Sequence, residues 1–179
     1  MRAHKTVILL TLGFLIGISV LLYPAFSNYW NSFTQSRAIA SYSEKVAEID
    51  TDEYERILQY AKNYNELFVG RTSLWVLNDD QMKTYNDMLN VFGNGVMGYI
   101  EIEKIKCSLP IYHGTSDSVL QIAVGHLDGS SLPVGGTGTH CVLSGHRGLP
   151  SAKLFTDLDQ LVEGDTFVLY ILDEMFTYQ

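Results

Sequence analysis

From Thr6 to Tyr23 the chain is uncharged and rich in Leu, Ile and Val. As a helix this stretch is about 27 Å long, close to the hydrocarbon thickness of a bilayer. It exceeds the ~7–15 apolar residues of a cleaved signal, and Ala25-Phe-Ser27 makes a poor cleavage site, so the pattern predicts an uncleaved signal-anchor. Arg2 and Lys5 flank only its N-terminal side, which by the positive-inside rule places residues 24–179 outside the cytoplasm. Tyr23, Tyr29 and Trp30 then fall at the outer interface.

Residues 34–68 are polar, with apolar positions at Ile39, Tyr42, Val46 and Ile49, then Ile57, Leu58, Ala61, Tyr64 and Phe68. That spacing predicts two amphipathic helices broken near Asp50, the second opening on a capping-box-like Asp50/Glu53 pair. A third helix is predicted from Asn78, with Gln81 closing its first turn and Met82, Tyr85, Met88, Leu89 and Phe92 as its apolar stripe, ending before Gly93.

From Gly95 the period shortens and turn residues arrive at close intervals. Strands are predicted at Gly98–Ile105, Leu109–Tyr112, Val119–Val124, Thr139–Leu143 and Thr166–Leu172, with a short helix through Leu154, Phe155, Leu158 and Leu161. The expected fold class is mostly β with N-terminal helices, behind a single transmembrane helix. The chain divides into a cytoplasmic N-terminus (1–5), the signal-anchor (6–23), a helical membrane-proximal region (24–92) and a β domain (93–179).

Composition narrows the function classes. A net charge of −8 argues against nucleic acid, which calls for a basic face. Two cysteines in 179 residues do not make a disulfide framework, so the core must hold the fold. Fifteen glycines against four prolines suit a turn-rich β domain.

The candidate chemistry lies in Cys141-Val-Leu-Ser-Gly-His146-Arg-Gly-Leu-Pro150. A short apolar run, Cys141-Val142-Leu143, reads as a buried strand that stops at Gly145 and delivers His146 onto a loop held by a rigid element. Such a histidine is either a capped surface residue or a general acid/base, since imidazole titrates near working pH. His113 and His126 lie in turns without a second ligand at metal spacing, and read as hydrogen-bonded turn residues. No metal or cofactor is called for.

Leu143-Ser-Gly-His146-Arg-Gly-Leu-Pro-Ser-Ala-Lys-Leu-Phe155 resembles the catalytic-His segment of class C, or pilin-polymerising, sortases. Gly93-Asn-Gly-Val-Met-Gly-Tyr-Ile-Glu-Ile102, Leu109-Pro-Ile-Tyr-His-Gly-Thr115 and Gly125-His-Leu-Asp-Gly-Ser-Ser-Leu-Pro-Val-Gly-Gly136 resemble that family in the same order, and together these segments cover about half the chain. The resemblance implies a membrane-anchored cysteine transpeptidase of the cell surface with a sortase β-barrel. Its partners would be the Leu-Pro-x-Thr-Gly-like sorting signals of pilins or surface proteins, with the bilayer held through residues 6–23. A Cys thiolate attacks the sorting signal to form a thioester, the imidazole matching His146 shuttles the proton, and an Arg stabilises the oxyanion.

Three departures qualify that expectation. Gly70–Leu77 occupies the region of the family's lid but lacks its Asp-Pro-aromatic tripeptide, leaving Trp75 as either a plug or a packed core residue. The family's nucleophile follows a Thr-Leu-x-Thr motif on a later strand, with the Arg beyond it, and Arg147 does not match that position. The sequence therefore reads as a fragment of an incomplete barrel that lacks nucleophile and Arg and is inactive alone. Of the cysteines present, Cys141 is five residues before His146, about 16 Å away along a strand and facing oppositely. Cys107 follows Lys104-Ile-Lys106 in a strand or its turn. Both read as small buried thiols, with a disulfide between them as the alternative. The competing functions are a membrane-anchored, non-catalytic β module for binding or pilus assembly, and a gene remnant.

Overall fold

The computed structural model describes residues 2–70 and 76–179. Its first helix, α1 (Arg2–Val46), is continuous, whereas the sequence predicts a membrane helix ending at Tyr23 and a separate amphipathic helix from residue 34. Residues 24–33 contain no glycine, and Pro24 forfeits only one backbone bond, so the helix runs on. Hydroxyls cap the polar stretch internally, Thr34 to the Trp30 carbonyl at 3.0 Å and Ser36 to that of Ser32 at 2.9 Å.

One face of α1 is bonded to the rest of the protein at a three-, four- and seven-residue spacing. Asn28 accepts from the Lys153 amide at 2.8 Å, Asn31 donates to the Ser151 carbonyl at 2.7 Å, and Gln35 donates to that of Ile122 at 2.7 Å. Farther along, the buried Tyr42 hydroxyl donates to the Met97 carbonyl at 2.9 Å and accepts from the Leu172 amide at 2.7 Å. These positions share a face because the spacing follows the 3.6-residue turn.

The break near Asp50 is where the periodicity puts it, and α2 (Thr51–Glu66) starts with the Glu53 amide donating to Asp50 at 2.9 Å. Only half of the capping box forms, because the Glu53 carboxylate pairs with Arg56 instead. Both halves form at α3 (Asp79–Asp87), where Asn78 and Gln81 exchange bonds of 2.9 and 3.0 Å. This helix stops at Asp87 instead of reaching Phe92. The Met88 carbonyl goes to the His113 ring at 2.7 Å and Leu89 takes a left-handed backbone (φ 58°), so a tertiary partner ends the helix before its apolar stripe does.

β1 (Val96–Ile102) and β2 (Cys107–His113) form an antiparallel hairpin around a 3-10 turn at Glu103–Ile105. The predicted strand over Val119–Val124 is instead a helical turn, α4 (Asp117–Leu120), leading into β3 (Val124–His126). β3 is parallel to β2, and a parallel connection needs a crossover, which α4 supplies. The Thr139–Leu143 strand shrinks to β4 (Leu143–Ser144), and Cys141-Val142-Leu143 is half-buried. Here the Ser131 and Ser130 hydroxyls take the His140 and Val142 amides at 3.1 and 3.2 Å, while the carbonyls of those two residues accept the Ser131 and Leu127 amides at 3.0 and 2.9 Å, so side chains stand in for half of the ladder.

β5 (Arg147–Leu149) and β6 (Ala152–Leu154) form a separate hairpin, and the helix expected through Leu154–Leu161 reduces to a 3-10 turn at Leu158–Gln160. Leu154 pairs with Arg147 and has φ 39°, outside the helical region. β7 (Phe167–Ile171) and β8 (Glu174–Tyr178) complete a six-stranded mixed sheet of order β4-β3-β2-β1-β7-β8. Its core, with Val96, Met97, Ile100, Ile111, Leu169 and Ile171, joins the inward faces of all three long helices through Tyr42, Leu58, Ala61 and Tyr85.

Candidate active site

His146 sits in the two-residue gap between β4 and β5, half-buried, just past the sheet edge. Its backbone is fixed on both sides. Gly145 lies under the Phe155 ring so closely that an added Cβ would come within 2.6 Å of it. The His146 carbonyl accepts from the Phe155 amide at 3.1 Å. The hairpin that follows is held from outside by Asn28 and Asn31 of α1, and inside by the Gly148 amide donating to Thr156 at 3.0 Å. Among the described residues no group hydrogen-bonds the His146 ring, so a fixed loop presents a free imidazole. The Arg147 guanidinium is paired with the Asp159 carboxylate at 2.6 Å.

A cavity of about 450 Å³ opens beside this loop, walled by Ile100, Phe167 and Leu169 of the sheet together with Leu143, Phe155 and Cys141. Both cysteines are free. Cys141 leaves β4 at the end opposite His146, and burial pushes its thiol up to about 12. Burial likewise pushes Cys107, at the start of β2, up to about 11, with Lys153 and Asp157 acting on it in opposite senses. Neither is a ready thiolate at neutral pH, and the strand geometry does not bring Cys141 to His146.

The two other histidines read as turn residues are hydrogen-bonded, but they end adjacent strands, paired across β2 and β3. The His113 ring faces the Gly95 carbonyl at 3.0 Å and that of Met88 at 2.7 Å. His126 is fully buried, with Nδ1 3.0 Å from the Tyr85 hydroxyl and Nε2 2.8 Å from the Ser131 carbonyl. Burial pulls its pKa down to about 4, so it is neutral in working conditions. These rings tie α3 to the sheet, and the backbone of His126 pairs with Leu143 on the strand that leads to His146. The lid region around Trp75 falls in residues 71–75, outside the described residues.

Sequence reasoning singled out His146 but not the α1 asparagines that hold its hairpin. Asn28 and Asn31 act across more than a hundred residues, and nothing local marks them.

The fold and this loop define a sortase-type domain, and comparison with known proteins agrees. A sortase-domain family pattern matches residues 100–179. The crystal structure of sortase C1 from Streptococcus agalactiae is 48% identical, superposes with a TM-score of 0.75, and the match covers 80% of this chain and 74% of that one. Sortase C from Streptococcus pneumoniae is 38% identical at a TM-score of 0.69, covering 80% of this chain and 72% of that one. A lid mutant of sortase A from Corynebacterium diphtheriae is 37% identical at 0.66, covering 73% and 70%. A search of curated proteins finds no match. The chain belongs to the sortase family, and class C sortases are among its solved neighbours.

Proposed function

We propose that the chain carries the base-bearing part of a pilin-polymerising sortase, a cysteine transpeptidase that cleaves Leu-Pro-x-Thr-Gly-like sorting signals and joins subunits through a thioester. His146 is its catalytic acid/base, protonating the leaving amine and deprotonating the incoming one. The observation that carries this reading is the free imidazole on a loop fixed at the sheet edge, in a chain 48% identical to a sortase C1. The apolar cavity beside it suits the aliphatic end of such a peptide. Within these residues the base is present, while the two thiols are too weakly ionised to serve as nucleophile.

Residues 6–23 serve as the signal-anchor, with residues 1–5 cytoplasmic, the helical region 24–92 and the sortase domain 93–179 outside. Support comes from a helix long and apolar enough to cross a membrane near the N-terminus, with mean hydropathy 2.4 over its most apolar stretch. Pilin or surface-protein sorting signals and the bilayer are thus the partners, and nucleic acid is not.

The test replaces the matched part of the S. agalactiae enzyme with residues 27–179, which keep Asn28 and Asn31, and assays cleavage of a sorting-signal peptide. His146→Ala should lower the rate by about 10²–10⁴-fold or more. A chimera that cleaves equally well without His146 would sink the assignment.

A further inference from the structure

Between Lys5 and Arg37 the sequence contains no charged side chain, so the uncharged part of α1 continues well past the apolar span. Along that extra length the helix has two unlike faces. One carries Asn28, Asn31 and Gln35, each bonded to the β domain. The opposite one carries Tyr23, Phe26, Tyr29, Trp30 and Phe33, recurring every three residues with Trp30 next to Tyr29, and all are exposed, Phe26 by 69% and Tyr29 by 70%. At 100° per residue the centres of the two stripes lie on opposite sides of the helix. Five large rings in a row are more than scattered surface hydrophobics, and nothing among the described residues covers them.

We infer that this aromatic face lies in the headgroup layer of the outer leaflet, so that the part of α1 beyond the span leans onto the membrane surface and carries the His146 hairpin beside it. The inference rests on the signal-anchor reading. The face is continuous with the apolar span in a single unbroken helix, and Tyr and Trp favour the interface, where a ring meets both chains and water. Upright, Phe33 would stand about 15 Å beyond Tyr23. A headgroup layer is only roughly 5–8 Å deep. A tilt toward the aromatic face, within the ~0–40° range of membrane helices, lowers those rings into the layer and lifts the bonded face clear of it. Arg37, whose guanidinium lies 5.8 Å from the Phe33 ring, then reaches the level of the lipid phosphates. Because Asn28 and Asn31 grip the hairpin at this same height, the loop bearing His146 faces substrates held at the membrane surface.

The experiment uses the full chain with Trp75→Phe, leaving Trp30 as the sole tryptophan, in phosphatidylcholine vesicles containing one quarter phosphatidylglycerol. Bromines placed near the headgroup end of the lipid chains should quench Trp30 more than mid-chain bromines, and aqueous iodide should quench it weakly. Strong iodide quenching with no bromine effect overturns the inference, since the face is then in water. Protection from both also overturns it, because a protein, such as a second copy of this chain, then covers the face. A second variant, with Trp30→Phe, Trp75→Phe and Gly13→Trp, reads the anchor alone, and Gly13 has open space for a side chain. Mid-chain bromines should quench it. If they do not, the anchor fails and takes the inference with it. If they do while Trp30 remains in water, only the inference fails.

Discussion

The Tyr85 hydroxyl lies 3.0 Å from the Nδ1 of His126, and it also receives the Gly114 amide at 3.0 Å. One phenol thus joins α3, the turn after β2 and the end of β3. The groups facing the His126 ring are Tyr85 from α3, His113 from β2, and Asp128, Ser130 and Ser131 from the loop that follows. Of these the Ser131 carbonyl, through its hydrogen bond, and Asp128 favour a charge on it, His113 opposes one, and burial dominates.

Acid should therefore destabilise the domain through His126. Its folded pKa of about 4 lies below the ordinary 6.5, so the unfolded chain takes up the proton first. Stability is full above pH 6.5 and falls as the pH drops toward 4, by about 3 kcal/mol from this group. Denaturant melts of residues 34–179 across that window should show the slope, and His126→Asn should flatten it at the cost of lower stability at neutral pH. An unchanged slope in that variant would place the acid sensitivity elsewhere.

Tyr42→Phe removes a hydroxyl that joins Met97 of β1 to Leu172 just after β7. It leaves a buried carbonyl and a buried amide without partners, which should cost about 1–3 kcal/mol with little change in shape. Thermal melting of the variant measures it, and an unshifted transition would mean that water or a neighbour replaces the phenol.

What the sequence disclosed and what it hid divide along local and tertiary causes. The break at Asp50, the Asn78/Gln81 box and the β1, β2 and β7 strands were legible, because each depends on residues a few positions apart. The end of α3 was not, since His113 captures the Met88 carbonyl from a distant strand. Nor was the shortness of β4, where two serine hydroxyls replace strand bonds. At the site, the punctuation around Gly145 marked the His146 loop, whereas the thiol states depend on burial that spacing cannot report.

Gly145→Ala places a methyl group against the Phe155 ring at a distance that cannot stand. Either the ring or the His146 loop must move, with a cost of about 1–3 kcal/mol. Phe155→Leu in the same chain should recover part of that loss, because the two changes share one contact. Stability of the two single variants and the double variant gives the coupling, and strict additivity would show that the ring already has room to move aside.

The thiols of Cys107 and Cys141 should be nearly inert at neutral pH. With pKa values of about 11 and 12 they hold far less thiolate than a free cysteine. Reaction with iodoacetamide at pH 7 should therefore run slower than for a free cysteine by on the order of 10²-fold or more, and accelerate as the pH rises. The same scarcity bears on catalysis, because acyl transfer needs a thiolate within about 2.6–3.2 Å of its base. Incubating residues 27–179, which keep Asn28 and Asn31, with a Leu-Pro-x-Thr-Gly peptide should leave the protein mass unchanged, while denatured protein alkylates at both cysteines. A thioester mapped to either residue would show that these residues assemble their own nucleophile, and would overturn the reading that they supply only the base.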